Sequence, residues 1–318
     1  MDKRIEMDGK TVPTPKVSVI VPVYGVEHYI ERCARSLFSQ TFKSVEFIFV
    51  NDCTKDASMN VLSDVRKEYP EADVKVINLE RNMGLPQARR AGVEQATGDY
   101  ILHVDSDDWI EPDMLEILYE RAVDTGADMV CCDWSEEYED HDEVLSHYEA
   151  SRDTYYETIL SLETDAYVWS RLTKREAYNG LEFPTCNMFE DFVITSQLVA
   201  NCHTIEFVHT PLYHYRRSNA SSIRSSADTR KILSQEVRNI FNVYQRVTEK
   251  EPGQHKRAVG RMLFAMGYHI MRHNLHDSLT KEQRCAISHG IDSLLPNKDL
   301  GFSMTKQIVL WIKEKIKY

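Results

Sequence analysis

Apolar residues over the first 135 positions alternate between two rhythms. Val17 to Val23 and Val45 to Val50 are nearly continuous runs rich in β-branched side chains, the pattern of strands covered on both faces. Between them, Glu27 to Gln40 spaces Tyr29, Ile30, Cys33, Leu37 and Phe38 as one face of a helix. Ser58 to Tyr69 predicts a second helix with Val61, Leu62 and Val65 as its stripe. Val74 to Leu79 follows as a third strand, and Leu85 to Ala96 as a third helix closed by Gly98. Tyr100 to Val104 reads as a fourth strand, a helix opens at Pro112 and runs through Ala122, and Ala127 to Trp134 is a fifth strand. Strands separated by helices of this length predict an α/β fold: a mainly parallel central sheet with right-handed crossovers, flanked by helices.

The alternation loosens after residue 135. Glu136 to Glu143 is acidic and reads as an exposed loop or hairpin, Tyr155 to Leu162 and Glu190 to Ala200 as helices, and Thr204 to Val208 as a strand. Helical periodicity dominates from Ala227, broken at Pro252-Gly253 and Leu295-Pro296. The expected organisation is a polar tail over 1–16, one α/β domain over 17–225 with halves 17–135 and 136–225, and a helical C-terminal region over 226–318. With 318 residues the chain can bury a substantial core. Its net charge of −12 argues against a nucleic-acid partner, which calls for a basic footprint. The seven cysteines are odd in number, irregularly spaced and without a Cys-x-x-Cys pair, so a reducing cytosol is expected rather than a disulfide framework or a zinc site. The first 16 residues lack the apolar stretch of a signal peptide, and no run approaches the roughly 20 apolar residues of a membrane span.

Candidate chemistry gathers where strands end. The fourth strand stops in Asp105-Ser106-Asp107-Asp108, whose mutual repulsion demands a cation or many hydrogen-bond donors. Hard oxygen ligands of this kind suit Mg²⁺ or Mn²⁺ together with substrate phosphates. The spacing alone is weak in a chain with 50 acids, but ligands of α/β sheets bind beyond the carboxyl ends of strands, which is where this cluster falls. The first strand ends in Pro22-Val23-Tyr24, and an aromatic there can stack on a base or simply lie half-buried in its loop. The second ends in Asn51-Asp52; the Asp52 carboxylate can accept a uracil N–H, while Asp56 reads as a helix cap. The third leads through Asn82-Met83-Gly84-Leu85 to Arg89-Arg90, where Arg89 can meet base or phosphate oxygens and Arg90 suits a solvated face.

Taken in order, these exits resemble glycosyltransferase family 2, sugar-nucleotide-dependent inverting enzymes of the GT-A fold. The resemblance covers roughly Lys16 to Ile223. It rests on Val17-Ser18-Val19-Ile20-Val21-Pro22-Val23-Tyr24, Ser39-Gln40-Thr41, Val50-Asn51-Asp52, Asn82-Met83-Gly84-Leu85 with Ala88-Arg89, Thr97-Gly98-Asp99-Tyr100 and the Asp-x-Asp cluster. It implies that Pro22, Tyr24 and Asp52 hold the uracil of a UDP-sugar with Arg89 nearby, that Asp105 faces the nucleoside, and that Asp107 with Asp108 binds the divalent metal. The family often carries Asn or a small residue after this tyrosine, where the chain has Gly25. It commonly has Gly-Ser after the second-strand aspartate, where the chain has Cys53-Thr54. Both departures bear on base or ribose contacts.

Inverting transfer also needs a base for the acceptor hydroxyl. Because the leaving group is a diphosphate, a single carboxylate suffices. The family has an acidic pair where this chain has Glu190-Asp191. The resemblance makes Asp191 the base and Glu190 its hydrogen-bonding support, although both acids would also suit a helix's first turn. Trp169-Ser170-Arg171 resembles a segment that meets donor or acceptor, and Tyr213 to Asn219 one whose charged residues close over the diphosphate; of these, Arg216 is the stronger candidate and His214 reads first as packing.

Residues 306 to 317 place apolar residues and lysines at helical spacing. Such a helix suits an anionic membrane surface, where a lipid-linked saccharide acceptor would lie, or it packs on its own domain or on a second copy in a homodimer. The expectation is therefore a glycosyltransferase of cell-surface polysaccharide synthesis, cytoplasmic or peripheral at the inner face of the membrane. A sugar-nucleotide-binding protein without turnover is the alternative. A dinucleotide-dependent oxidoreductase would need a Gly-x-Gly-x-x-Gly turn where this chain has Pro22-Val23-Tyr24-Gly25.

Overall fold

In the computed structural model, which describes residues 3–5, 11–147, 150–217, 229–273 and 279–294, the segment expected as a polar tail pairs with itself. Strand β1 (Lys3–Ile5) runs antiparallel to β2 (Thr11–Pro13). All seven residues of β3 (Val17–Val23) are buried, as a strand with neighbours on both edges and helices on both faces requires. Beside it lie β4 (Val45–Asn51) and then β5 (Asp73–Asn78) on one edge, and β6 (Tyr100–His103) on the other, all parallel.

Helix α1 (Ile30–Phe38) buries Ile30, Cys33, Ala34, Leu37 and Phe38, close to the face predicted for it. Phe38 meets Phe47 and Phe49 of β4 edge-on, with ring centroids 5.4 and 5.9 Å apart. Each such fully buried side chain contributes about 1.5–3 kcal/mol. Helix α2 (Ser58–Glu68) buries Leu62 and Val65. Helix α3 (Leu85–Gln95) lies against β3 so closely that a Cβ on Gly92 would stand 2.4 Å from Ile20 Cγ2, which no larger residue tolerates without separating the two elements.

The rest of the sheet is mixed. It comprises β7 (Trp109–Ile110), β8 (Met129–Glu137), β9 (Asp142–Leu145), β10 (Arg171–Lys174) and β11 (Ile205–Arg216), in the order β5-β4-β3-β6-β10-β8-β11-β7 with β9 on β8. Strand β10 runs antiparallel to both β6 and β8, β8 and β11 are parallel, and β7 is antiparallel to β11. The mainly parallel pattern thus holds on the β5-β4-β3-β6 side and gives way beyond it. The acidic stretch after β8 forms a hairpin with β9. Helix α4 (Met114–Thr125) ends at Gly126 in the left-handed region (φ 72°), and α5 (Arg152–Leu160) and α6 (Glu190–Asn201) follow.

The chain divides into two compact units. The first comprises the residues up to Arg152, 167–185 and the stretch that begins at Gln197. The second comprises 153–166, 186–196 and the helices α7 (Thr229–Lys250), α8 (Lys256–Arg272) and α9 (Lys281–Leu294). A single boundary near residue 225 therefore does not describe the division: two segments before it belong with the late helices. Hydrogen bonds account for the grouping. Asn239 on α7 donates to the carbonyls of Cys186 (3.1 Å) and Met188 (2.7 Å), and Tyr156 donates to Glu251 (3.2 Å). His255, between α7 and α8, has Glu157 at one ring nitrogen and Glu251 at the other. No described helix is long and apolar enough to cross a membrane, and the predicted helix over 306–317 lies outside the described residues.

Candidate functional site

Strand order reverses at β3, with β4 and β5 added on one edge and β6 on the other, and such a switch point opens a crevice at the carboxyl ends of the strands. Pro22 helps to open it. Val23 O accepts from Asp52 N on the β4 side and Ile20 O from Val104 N on the β6 side, so even-numbered residues of β3 face β6. Pro22 faces that way too, past the last paired residues Ile20 and His103. Its missing N–H therefore costs no ladder bond, and the two strands part there.

The first two exits are stitched to each other. The amides of Gly25, Val26 and Glu27 donate to Thr54 Oγ1 (2.9 Å), Ser58 Oγ (3.0 Å) and Asp56 Oδ2 (3.0 Å). Asp56 also accepts from Ser58 Oγ (2.6 Å), from Thr54 Oγ1 (2.8 Å) and from Ser58 N (3.1 Å) at the start of α2. Burial pushes its carboxyl up, but these donors outweigh burial and hold it below the usual aspartate value. Above this brace Tyr24 stands 53% exposed, open to a stacking partner. Asp52 is buried, and its two oxygens accept the amides of Met83 (2.6 Å) and Gly84 (2.9 Å), which fixes the loop ahead of α3. Its carboxyl is pushed up by burial, more than those amides pull it down.

The β6 exit carries the charge. Asp105 pairs with Arg89 of α3 (2.9 Å), whose side chain is wholly buried and so stands behind the carboxylate rather than at an open edge. Asp105 O accepts the amide of Asp108, closing a turn over Ser106 and Asp107. Asp107 is partly exposed, whereas Asp108 is buried with both oxygens engaged: Oδ2 accepts from Tyr213 Oη (2.7 Å) and Oδ1 from Arg216 N (2.8 Å). Burial first, and then the charges of Asp107 and Asp105, push the Asp108 carboxyl well up. Among the described residues no group of three or more His, Cys, Asp or Glu side chains forms a ready-made metal cage. A small hard cation held by one or two carboxylates and completed by substrate phosphates fits this turn, with Asp107 its more exposed carboxylate and Asp108 its buried one.

Beside the turn, Trp109 is clamped between Arg32, whose guanidinium lies 4.2 Å from its ring centroid, and the flat-stacked ring of His214 at 3.5 Å. Its Nε1–H donates to Glu137 (2.7 Å), which also receives two bonds from Arg32. His214 shares a hydrogen bond with Glu111 (2.7 Å), which supports the packing reading of this residue. The Arg216 guanidinium lies 3.8 Å from Glu137 and 5.4 Å from the centre of the Tyr29 ring. Arg90 pairs with Glu94 on an exposed face.

Glu190 and Asp191 open α6 within the second unit, following Phe189 in the left-handed region (φ 58°). Acids in a first helical turn are favoured by the helix dipole. The segment before them is tied to α7, since Gln235 Oε1 accepts the Asn187 amide (3.2 Å) and Asn239 holds the two carbonyls named above. Sequence reasoning missed Tyr213 as an organiser of the acid turn and Glu137 as the acceptor that gathers Arg32 and Trp109 beside it. It also expected Trp169 at a crevice, whereas Trp169 is buried and stacked on Tyr213 with 4.2 Å between ring centroids. The one available signal was the concentration of aromatic and charged residues in Tyr213-His214-Tyr215-Arg216-Arg217.

An α/β sheet with a parted switch point, an exposed aromatic and a braced acidic turn can receive a ligand at the carboxyl ends of its strands. The chain belongs to glycosyl transferase family 2, whose profile matches residues 18–189. It is 36% identical over 216 residues to EpsH of Bacillus subtilis, a match covering 64% of this chain and 61% of that one. It is 32% identical over 225 residues to the glycosyltransferase GlyA of Streptococcus pneumoniae, covering 66% of this chain and 32% of that one. The chain thus spans less than two thirds of either relative's length. Among solved structures, S. aureus TarS 1-349 in complex with UDP-GlcNAc shares the fold with a TM-score of 0.71 and 20% identity, over 95% of this chain and 88% of that one. The mannosyltransferase PcManGT from Pyrobaculum calidifontis, in complex with GDP-Man and Mn²⁺, shares it with a TM-score of 0.52 and 15% identity, over 96% and 88%.

Proposed function

We propose that the protein transfers one sugar from a nucleotide-sugar donor, by resemblance a UDP-sugar, to a hydroxyl of a saccharide or lipid-linked saccharide acceptor, with inversion at the anomeric carbon. The observation that carries this reading is the acidic turn at the exit of β6, on the parted edge of β3, in a chain of this family. In this reading Tyr24 stacks on the base where Pro22 opens the strands. Asp52, whose oxygens each keep a second lone pair, accepts a base N–H. Asp105, oriented by Arg89, faces the nucleoside, and Arg216 meets the diphosphate. Mn²⁺ or Mg²⁺ would be held by Asp107, backed by Asp108, and when bound neutralises charge on the leaving diphosphate. Asp191 takes the acceptor's hydroxyl proton on its carboxylate, with Glu190 as hydrogen-bonding support, and no covalent enzyme intermediate forms. An α-linked donor would give a β-linked product. The fitting place for this activity is cell-surface polysaccharide synthesis at the cytoplasmic side of the membrane.

The test is a panel of UDP-sugars offered to the full chain with Mn²⁺ or with EDTA, scored for released UDP and for transfer. UDP release is expected with Mn²⁺ and not with EDTA. Asp191→Asn should lose transfer while still binding UDP. Wild-type turnover in that variant removes the assigned base, and no release from any donor sinks the reading.

A further inference from the structure

Tyr213 lies in β11, 105 positions along the chain from Asp108, yet its hydroxyl touches the acid turn twice. It accepts the amide of Asp105 (3.1 Å) and donates to Asp108 Oδ2 (2.7 Å). The other Asp108 oxygen accepts the amide of Arg216, three residues further along the same strand. One end of the turn is therefore held through its backbone and the other through its carboxylate, both by a single phenol.

The phenol itself is fixed. Its ring is fully buried and lies nearly parallel to Trp169 (4.2 Å between centroids, 14° between planes), and Trp169 lies nearly parallel to Tyr167 in turn (4.6 Å, 15°). Backbone pairing seats Tyr213 between Ile110 of β7 and Trp134 of β8. A ring held on its face and along its strand has one place for its oxygen.

We propose that Tyr213 is a positioning residue for metal binding: its hydroxyl holds Asp105 and Asp108, and with them the turn that carries the partly exposed Asp107, in the arrangement that takes a divalent cation. The inference rests on the function proposed above and adds to it a residue that would touch neither metal nor donor. Three carboxylates packed in one turn repel one another, and a turn free to relax would spread them. Removing the hydroxyl leaves a buried carboxylate oxygen and a part-buried amide each short of a partner, so relaxation becomes favourable. Partners that orient metal-binding carboxylates typically matter by 10–100-fold in metal affinity.

The test is Tyr213→Phe in the full chain, which keeps the ring and its stacking. The Mn²⁺ dissociation constant would be measured calorimetrically with UDP present, alongside the thermal midpoint. About tenfold weaker Mn²⁺ binding is expected, with turnover returning towards wild type at saturating Mn²⁺. A purely structural role would lower the midpoint and leave Mn²⁺ affinity within about twofold of wild type, and that result overturns the proposal. As a second, independent measurement, the same substitution is made on Asp108→Asn. With the bridge already altered, the added loss of affinity should shrink to a few-fold at most, and an undiminished loss of about tenfold overturns the proposal. If the wild-type chain fails to bind Mn²⁺ with UDP, the proposed function falls and takes this inference with it. If the wild type binds and Tyr213→Phe matches it, only the positioning role falls.

Discussion

Two buried carboxylates stand at opposite ends of β4 and are treated in opposite ways. Glu46, near its start, accepts from Ser18 Oγ (2.6 Å), from the amide and hydroxyl of Thr97 (both 2.7 Å) and from the Lys75 ammonium. Burial pushes its carboxyl up, yet these donors outweigh burial and hold it below the usual glutamate value. Asp52, just past the strand's other end, accepts the amides of Met83 and Gly84, and there burial wins and the carboxyl stays raised. The amino edge of the sheet thus neutralises its acid and uses it as scaffold. The carboxyl edge keeps an acid whose burial outweighs its two amides, at the switch point where the proposed base N–H would add a further donor.

Removing the scaffold acid should have the largest effect. Glu46→Ala leaves Ser18, Thr97 and Lys75 without their acceptor, and breaking a buried charge pair costs about 3–5 kcal/mol. With Lys75 35% exposed, the lower end, about 3 kcal/mol, is expected in urea unfolding. A loss below about 1 kcal/mol would mean that the two ends do not differ as described.

Asp52→Asn should cost less in stability and more in binding. Its new NH₂ must face the Met83 or Gly84 amide, donor against donor, at about 1–3 kcal/mol. UDP affinity, measured by calorimetry, should fall by about tenfold, the order of one lost charge-assisted hydrogen bond, while Glu46→Gln leaves it unchanged. Equal UDP binding in Asp52→Asn and wild type would make Asp52 as much scaffold as Glu46.

The same asymmetry explains what the sequence disclosed. In the β5-β4-β3-β6 half, buried parallel strands and amphipathic helices each carry their own periodicity, and the predicted elements fall within a few residues of those observed. The other half depends on pairings between distant segments. Strand β10 buries Arg171 and Thr173 with Leu172 between β6 and β8, and β7 is two residues long, so neither has an apolar rhythm to read. The acids at 105, 107 and 108 were visible as a cluster. That Asp108 is tied to β11, that Arg89 lies behind Asp105, and that Glu137 gathers Arg32 and Trp109 depends on contacts spanning 16 to 108 positions. The grouping of 153–166 and 186–196 with the late helices was hidden for the same reason, since its ties run to Asn239 and Glu251.

The finest consequence is in pH, where the two ends of β4 should pull in opposite directions. Glu46 titrates below its ordinary 4.5 in the folded chain, so its stabilisation is complete above that pH and is lost as pH falls through the depressed value. Asp52 titrates above its ordinary 3.8, so the folded chain binds that proton more tightly than the unfolded chain does. Its contribution is a penalty, fully present above the raised value and relieved as pH falls towards 3.8. Urea midpoints followed from pH 6 downwards should therefore separate the variants, relative to wild type, as order-of-magnitude slopes of opposite sign. Glu46→Gln should lose less stability on acidification, because its acid-labile term is gone. Asp52→Asn should lose more, because the compensating proton uptake is gone. Slopes that shift the same way in both variants would show that the carboxyl-edge acid is satisfied by its two amides after all, and the contrast between scaffold and site would then have to rest on Asp107 and its turn alone.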